Sequence, residues 1–293
     1  MNEQAARRIT RLAREETDMD SIATGIHRIT DPEYFAIDLP SSSATKTLLG
    51  RTNAHLAYER EHPREETDAF AVGALTHALV LAPDTVEANF IKAGKVDRRT
   101  KDGKAEWESL QKRAQLTGAR IVTEEQAALA HDMADAVMNF GAWSRVDSLC
   151  SQYETAVIGT VCNRLAKCKV DAASEDFSIV YDLKTCQDAS ASEFSRAAAT
   201  FGYAHQAAFY RRVLKSLGYS LNDFVFICVE KDAPHLCAAY RLADSAIESA
   251  DALIDGVVER WWQVKDGSKT GYPNLVQDID LPSWAYTKNE RIA

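Results

Sequence analysis

The apolar positions between residues 166 and 217 change from the period of strands to the period of helices. Residues 166–172 and 177–183 are short apolar runs separated by the turn-like sequence Ala-Ser-Glu-Asp. Two such runs around a polar turn predict a pair of adjacent strands. Residues 190–201 and 203–217 have apolar positions at helical spacing, with an interruption near Gly202. The pattern therefore predicts a strand pair followed by two helices.

Similar patterns extend this prediction in both directions along the chain. Three serines stand before a periodic apolar run and predict the start of a helix near residue 43. Apolar positions at helical spacing predict helices at 68–81, 104–116, 124–140 and 243–265, and the second and third of these have caps at Asp102 and Thr123. Strand-like alternation predicts strands at 153–162, 223–230 and 235–242. This order predicts an α/β fold with a mixed central sheet flanked by helices and a helical N-terminal part.

The chain of 293 residues is long enough for one large domain. We expect a single domain over residues 41–267, with a helical part from 41 to 150 and a core from 151 to 267. Residues 1–40 would form an N-terminal extension, with a frayed helix in 1–19 and irregular structure after it. Residues 268–293 would form an extended C-terminal tail with several aromatic side chains. Residues 143–150 are expected to be a connection.

Composition and charge narrow the class of protein. No apolar run is long enough to cross a bilayer, and the charged start has no apolar signal core. The six cysteines contain no C-x-x-C pair, which favours reduced thiols in a cytoplasmic protein and argues against an iron–sulfur cluster. The net charge of −9 argues against nucleic-acid binding, which usually needs a basic face. Residues 92–104, however, hold six cations against two acids.

Three charged residues fall on the predicted strand pair. Asp171 lies near the end of the first strand, Asp182 near the end of the second, and Lys184 two residues later. Side chains two apart on a strand point to the same side, so Asp182 and Lys184 should share a face. Such a cluster can hold a divalent cation with a lysine beside its bound water. A plain salt bridge between Lys184 and Asp182 would have the same geometry.

These residues carry a family resemblance. Asp171 followed by Asp182-Leu183-Lys184 resembles the PD-(D/E)XK nuclease core, and Gln206 with Tyr210 resembles the Q-x-x-x-Y helix of its RecB-like branch. His77, in VGALTHALVLAP, resembles the upstream histidine of that branch. The pattern over residues 40 to 245 is most similar to the phage exonuclease VIII (RecE-type) group.

The resemblance implies a PD-(D/E)XK restriction-endonuclease-like core and assigns roles to several side chains. His77, Asp171, Asp182 and the Leu183 carbonyl would bind Mg²⁺, and one histidine ligand would make Mn²⁺ acceptable. Lys184 would orient the attacking water, Gln206 would hold nucleotide or water, and Tyr210 would support it. Glu154 resembles the accessory glutamate of RecB-like nucleases, although a surface glutamate on an edge strand fits the sequence nearly as well.

The resemblance also implies an activity. The chain has neither an ATP-hydrolysing G-x-x-x-x-G-K-[ST] loop nor a G-x-S-x-G elbow. We expect an ATP-independent 5′→3′ exonuclease that acts on double-stranded DNA ends and leaves 3′ overhangs for a single-strand annealing protein in phage-type recombination. Its relatives imply a ring-shaped homo-oligomer, a trimer or tetramer. The alternatives are a nuclease for single strands or flaps, and a catalytically silent DNA-binding or assembly protein.

Two groups of residues are candidates for DNA contacts. Arg98, Arg99, Lys101 and Lys104 would grip phosphates without reading sequence. Ser43 and Lys46, at the predicted helix start, would receive the terminal 5′ phosphate. The alternative interpretations are a solvated surface turn and simple helix capping.

Overall fold

The computed structural model describes residues 23–63 and 68–282. The strands in this part of the chain are β1 (Gly25–His27), β2 (Phe90–Ala93), β3 (Arg120–Thr123), β4 (Cys150–Val161), β5 (Arg164–Ser174), β6 (Ile179–Cys186), β7 (Asp223–Glu230) and β8 (Cys237–Arg241). The α-helices are α1 (Asp31–Ala36), α2 (Ser42–Thr45), α3 (Asn53–Glu61), α4 (Asp68–Leu81), α5 (Val86–Asn89), α6 (Lys101–Thr117), α7 (Glu124–Met138), α8 (Trp143–Leu149), α9 (Ala191–Phe201), α10 (Tyr203–Ser216) and α11 (Asp244–Lys265). Each of these helices is too short or too polar to cross a bilayer.

A six-stranded mixed sheet forms the centre of the fold. Its strand order is β1-β4-β5-β6-β7-β8, and only the β6–β7 pair is parallel. The parallel step needs a crossover connection, which α9 and α10 supply. A separate two-stranded parallel sheet is formed by β2 and β3. The predicted α/β fold with a mixed central sheet is therefore confirmed.

Helices cover both faces of the large sheet. On one face, α4, α7 and α8 bury a core that includes Leu75, Met133 and Leu183. On the other face, α9, α10 and α11 bury a core that includes Leu214 and Ile254. Because side chains alternate along β6, Leu183 points to the first face while its neighbours Asp182 and Lys184 point toward α10.

One glycine allows the sheet and a helix to approach closely. A Cβ atom on Gly159 of β4 would lie 2.7 Å from the carbonyl oxygen of Val213 on α10. Such a distance is well inside van der Waals contact, so a side chain at this position would push α10 outward. The contact matters for function because α10 carries Gln206 and Tyr210.

Most of the predicted elements are present, with shifted boundaries. The interruption near Gly202 is confirmed: its φ of 68° and ψ of 42° end α9 and begin α10. The turn before β6 lies two residues later than predicted, at 175–178, and it includes Phe177, whose φ is 55°. The predicted cap at Thr123 is confirmed, but α6 begins three residues early, with Thr100 rather than Asp102 as its cap.

Three predictions about local structure were wrong. The periodic run after the three serines is not one helix: α2 passes into a short 3₁₀ segment, Lys46–Leu49, and Gly50 separates this segment from α3. The predicted connection at 143–150 is largely α8. The supposedly irregular residues 20–40 contain β1 and α1. The predicted helix in 1–19 and the tail aromatics Trp284 and Tyr286 lie outside the described residues.

Candidate active site

Asp171 on β5 lies where the β5–β6 ladder opens. Its Oδ2 accepts a 2.8 Å hydrogen bond from the backbone N–H of Leu183 and lies 3.6 Å from Nδ1 of His77. His77 reaches this point because α4 runs close to β6: a Cβ on Gly73 would be 3.3 Å from Oγ1 of Thr185. The structure therefore brings together His77 and Asp171, which are 94 residues apart in the chain.

Glu154 joins them from β4. Tyr153 pairs with Ala172 and Thr155 pairs with Val170, so Glu154 lies opposite Asp171. Its φ of 47° is in the left-handed region, which costs a non-glycine residue free energy and often marks functional sites. One ligand atom from each of His77, Glu154 and Asp171 lies within 4.8 Å of the others. Glu154 is thus part of the cluster and not a surface residue on an edge strand.

Asp182 and Lys184 form a second group beside the first. Asp182 is 2% exposed; its Oδ1 contacts the Lys184 ammonium, and its Oδ2 accepts a hydrogen bond from the amide of Gln206. Tyr210 lies 3.4 Å from the same amide and donates a 2.7 Å hydrogen bond to the carbonyl of Lys169. Both oxygens of Asp182 therefore have partners within the protein, and Asp182 is not in the cluster of three.

The electrostatics of this cleft disfavour additional negative charge. Burial, with the nearby Asp182 carboxylate, raises the pKa of Asp171 to about 7. Burial and the Asp171 carboxylate raise the pKa of Glu154, and burial lowers the pKa of His77. The carboxylates of Asp182 and Asp171 raise the pKa of Lys184, against the opposing effect of burial.

The pKa shifts of His77, Glu154 and Asp171 are consistent with a metal site. Two carboxylates and a neutral imidazole are donors that a divalent cation accepts. A bound cation would also remove the repulsion that raises the carboxyl pKa values. The donor set of His77, Glu154 and Asp171 therefore fits a divalent metal.

Lys169 is a site residue that the sequence analysis missed. Its ammonium contacts the carboxylates of both Glu154 and Asp31. Lys169 precedes Asp171 by two residues on β5, so strand alternation could have placed it on the same face. Its second partner, Asp31, is 138 residues away, and no local pattern indicates that contact.

The cluster of three lies in a cleft of about 460 Å³. Residues of α1, α4 and β3 form its outer part: Asp31, Phe35, Phe70 and Arg120. Lys169 and Thr185 line it near the cluster. A cleft of this size, with ligating side chains on its wall, is suited to binding part of an extended substrate.

The predicted phosphate residues lie in a different concavity. Ser43 and Lys46 line a depression of about 750 Å³ that also includes Arg51 and Thr200. The Lys46 ammonium lies 5.1 Å from the centre of the Phe201 ring. The Phe201 ring lies 6.1 Å from the Tyr203 ring, and the Lys184 ammonium lies 5.1 Å from the centre of the Tyr203 ring, so the depression is near the Asp182–Lys184 pair. Burial lowers the pKa of Lys46, and the Lys184 ammonium lowers it further.

The predicted basic loop is at the surface, away from the cleft. Arg98 lies over the Trp107 ring at 4.2 Å, and Arg99 pairs with Asp97 at 2.9 Å. Lys101 and Lys104 are on the first turn of α6. None of the four is among the described residues that line the cleft, so any DNA contact they make is with a more distant part of the substrate.

The fold was compared with those of solved structures. A presumed exonuclease from Eubacterium rectale is 15% identical, with a TM-score of 0.59 over 89% of this chain and 98% of its own. A phage-related exonuclease from Haemophilus somnus 129PT is 9% identical, with a TM-score of 0.33 over 78% of this chain and 95% of its own. The first of these similarities supports the fold. No curated protein matches the sequence.

A family profile matches most of the chain. The family is described as a PDDEXK-like domain of unknown function (DUF3799), and the match covers residues 41–274. That range contains every site residue expected from the sequence. With the mixed sheet and the acidic cluster in place, the match confirms the resemblance to PD-(D/E)XK nucleases. The chain therefore belongs to the DUF3799 family of PDDEXK-like domains.

Proposed function

We propose that this protein is a metal-dependent exodeoxyribonuclease. The observation that carries the proposal is the position of the His77–Glu154–Asp171 cluster beside the Asp182–Lys184 ion pair. Metal ligands next to a lysine are what phosphodiester hydrolysis needs, because charge develops on the phosphoryl oxygens in the transition state. The catalytic unit is residues 41–267 in this proposal.

His77, Glu154 and Asp171 would hold the metal, with Mg²⁺ favoured by the carboxylates and Mn²⁺ accepted because of the imidazole. When bound, such an ion polarises the phosphoryl oxygen and lowers the pKa of a coordinated water. Asp182 and the Leu183 carbonyl remain predicted further ligands. In support of this, Asp182 is close enough to Asp171 to raise its pKa.

Lys184 has the central role among the residues that are not metal ligands. Its ammonium is held by Asp182 and would orient the attacking water or stabilise the developing negative charge. Gln206 donates to Asp182, so we assign it a role in fixing that carboxylate rather than the predicted contact with nucleotide or water. Tyr210 ties α10 to the backbone of β5 through Lys169 and so supports Gln206.

The finer activity rests on the resemblance to RecE-type enzymes. We propose 5′→3′ digestion of double-stranded ends without ATP, with Ser43 and Lys46 at the 5′ phosphate and Arg98, Arg99, Lys101 and Lys104 on the backbone. Among its described lining residues, the depression holds two cations, Lys46 and Arg51, against the single carboxylate of Glu59, which supports the phosphate assignment. A ring of subunits that passes 3′ overhangs to an annealing protein would explain how an acidic chain stays on DNA.

Digestion of end-labelled DNA tests the proposal. Linear duplexes labelled at the 5′ or 3′ end, single strands and closed circles are incubated with Mg²⁺, with Mn²⁺ or with a chelator. We expect metal-dependent release of 5′-terminal nucleotides from linear duplexes and no cleavage of circles. Preferential cleavage of single strands would instead support the flap or single-strand alternative. Absence of cleavage with every metal and substrate would overturn the proposal.

A further inference from the structure

Two exposed aromatic side chains lie at the outer part of the metal cleft. Phe35 on α1 is 65% exposed and Phe70 on α4 is 50% exposed. Both line the same cleft as His77, Glu154 and Asp171. Phe70 precedes His77 by two helical turns on the same face of α4, roughly 10 Å along the helix axis. The position of Phe70 is therefore within a few nucleotide steps of the cluster.

Lysine side chains of β5 hold the helix that carries Phe35. Helix α1 has six residues, and Tyr34 is its buried residue; a helix this short is not stable by itself. Lys167 of β5, only 4% exposed, donates 2.6 Å hydrogen bonds to the carbonyls of Tyr34 and Ile37, while Lys169 contacts Asp31. Burying a lysine is costly unless it is bonded in this way. The strand that carries Asp171 thus fixes the helix that presents Phe35.

An arginine lies beside one of the two rings, and the cleft is continuous with a second concavity. The Arg120 guanidinium lies 5.3 Å from the centre of the Phe70 ring. A further concavity of about 550 Å³ shares Asp31, Phe35, Asn89 and Arg120 with the cleft. The groove therefore continues outward past the rings, which suits a substrate chain longer than one nucleotide.

Unpaired nucleobases match this chemistry best. Exposed aromatic faces with nearby arginine are the usual means of holding single-stranded nucleic acid, because every base has a face that stacks. In an intact duplex those faces are already stacked on each other, and its phosphates need cations rather than phenyl rings. A substrate with free base faces explains both rings and their position beside the metal ligands.

We propose that Phe35 and Phe70 form a stacking site for unpaired bases of the strand whose backbone enters the metal cleft. The substrate is then a DNA end with separated or single-stranded terminal nucleotides. This inference rests on the proposed nuclease function and deepens it, since it names the state of the DNA that the site accepts.

The test compares the affinity of the protein for DNA ends whose unpaired nucleotides carry bases with its affinity for ends whose unpaired nucleotides lack them. The probes are duplexes with a three-nucleotide 5′ extension that is either normal or abasic, and binding is measured in chelator so that no cleavage occurs. We expect the wild-type protein to bind the normal extension about tenfold more tightly than the abasic one. Phe35→Ala and Phe70→Ala should each lose most of this difference while binding the abasic probe as the wild type does.

Two controls separate stacking from a change in folding. Tyr58→Ala removes a 62% exposed aromatic residue that is not among the described residues of the cleft, and it should keep the full preference. Phe35→Trp and Phe70→Trp keep an aromatic ring at each position and should therefore retain the preference for the normal extension over the abasic one. A 2-aminopurine in the extension should be quenched on binding to the wild type but not to the alanine variants. Thermal melting of each variant checks that α1 and α4 are intact.

The outcomes distinguish this inference from the proposed function. Equal binding of normal and abasic extensions by a protein that cleaves DNA would overturn the stacking site and leave the nuclease assignment in place. A protein that neither binds nor cleaves any DNA would overturn both. An alanine variant that changes the oligomeric state in light scattering, with the base preference unchanged, would identify the two rings as a protein interface and would likewise overturn the stacking site.

Discussion

The backbone N–H of Leu183 donates a 2.8 Å hydrogen bond to Oδ2 of Asp171. The β5–β6 ladder is in register at Ala172–Tyr181 and Ala173–Val180, and beyond this point the Asp171 side chain takes the place of a backbone partner. The strands separate here, so that the Asp171 carboxylate both accepts the last hydrogen bond between β5 and β6 and faces the cleft. The same atom lies 3.6 Å from Nδ1 of His77, so Asp171 also connects the sheet to α4.

Replacing Asp171 or Asp182 with alanine should abolish cleavage while the fold is retained. Asp171→Ala removes a ligand of the proposed metal, and Asp182→Ala removes the partner of Lys184 and Gln206. DNA digestion and Mn²⁺ titration by calorimetry measure the two effects, and circular dichroism monitors folding. Asp176→Ala, in the turn between the same strands, is a matched control that should cleave normally. Metal-dependent cleavage near the wild-type rate by either site variant would contradict the assignment.

Lys184→Ala should keep metal and DNA binding but lose activity. We expect the rate to fall by about 10²- to 10⁴-fold, since the variant lacks a positive charge needed in the transition state. Single-turnover cleavage at saturating metal measures this loss directly. If the rate is unchanged and only the melting temperature falls, the contact with Asp182 is a structural salt bridge and nothing more.

Ser43→Ala combined with Lys46→Ala should remove any preference for 5′-phosphorylated ends. Both side chains line the depression that includes Arg51, so the double variant loses a hydroxyl and a cation from the proposed phosphate pocket. The measurement is the ratio of cleavage rates on 5′-phosphate and 5′-hydroxyl duplexes. An unaltered ratio would mean that these residues serve only the local helix, where Ser41 is the cap.

Lys101→Ala with Lys104→Ala should weaken DNA binding for all sequences alike. Each lost phosphate contact should reduce the slope of log Kd against log salt concentration by roughly one. Arg99→Ala is expected to change the slope less, because Arg99 already pairs with Asp97. Equilibrium binding at several salt concentrations gives the slopes, and identical slopes for wild type and double variant would show that this turn is solvated surface.

His205 should make the protein less stable as the solution becomes acidic. Burial lowers its pKa to about 4, and Nε2 lies 2.9 Å from the Thr45 hydroxyl. The unfolded chain takes up a proton near pH 6.5 while the folded protein does not, so stability is full above pH 6.5 and is lost as the pH falls toward 4. The loss is roughly 3 kcal/mol for the complete shift.

Urea unfolding of wild type and His205→Gln between pH 4 and 8 tests this prediction. Carboxylates titrate in both proteins, so the informative quantity is the difference between the two pH profiles. We expect the variant to lose less stability over this range than the wild type. Parallel profiles would show that His205 is protonated equally in the folded and unfolded protein.

Local periodicity placed the candidate site residues on predicted strands and helices, and the family resemblance singled them out. The spacing of Asp171, Asp182 and Lys184 on two strands, and of Gln206 and Tyr210 on a helix after a glycine break, follows from periods of two and 3.6 residues. Such patterns are local, because each element must bury one face whatever lies beyond it. The family resemblance then linked His77 to the strands across 94 residues.

Long-range packing decided what the sequence left open. Glu154 joins His77 and Asp171 because its backbone takes a left-handed conformation and β4 pairs with β5 in one register. Helix α1 lies where irregular structure was expected. A capping box of Thr30 and Glu33 stands at its start, and Lys167 and Lys169, 130 to 138 residues later, contact the carbonyls of Tyr34 and Ile37 and the carboxylate of Asp31. A short segment that is stabilised from outside carries no periodic signal of its own, so only the tertiary structure could place Phe35 beside the cleft.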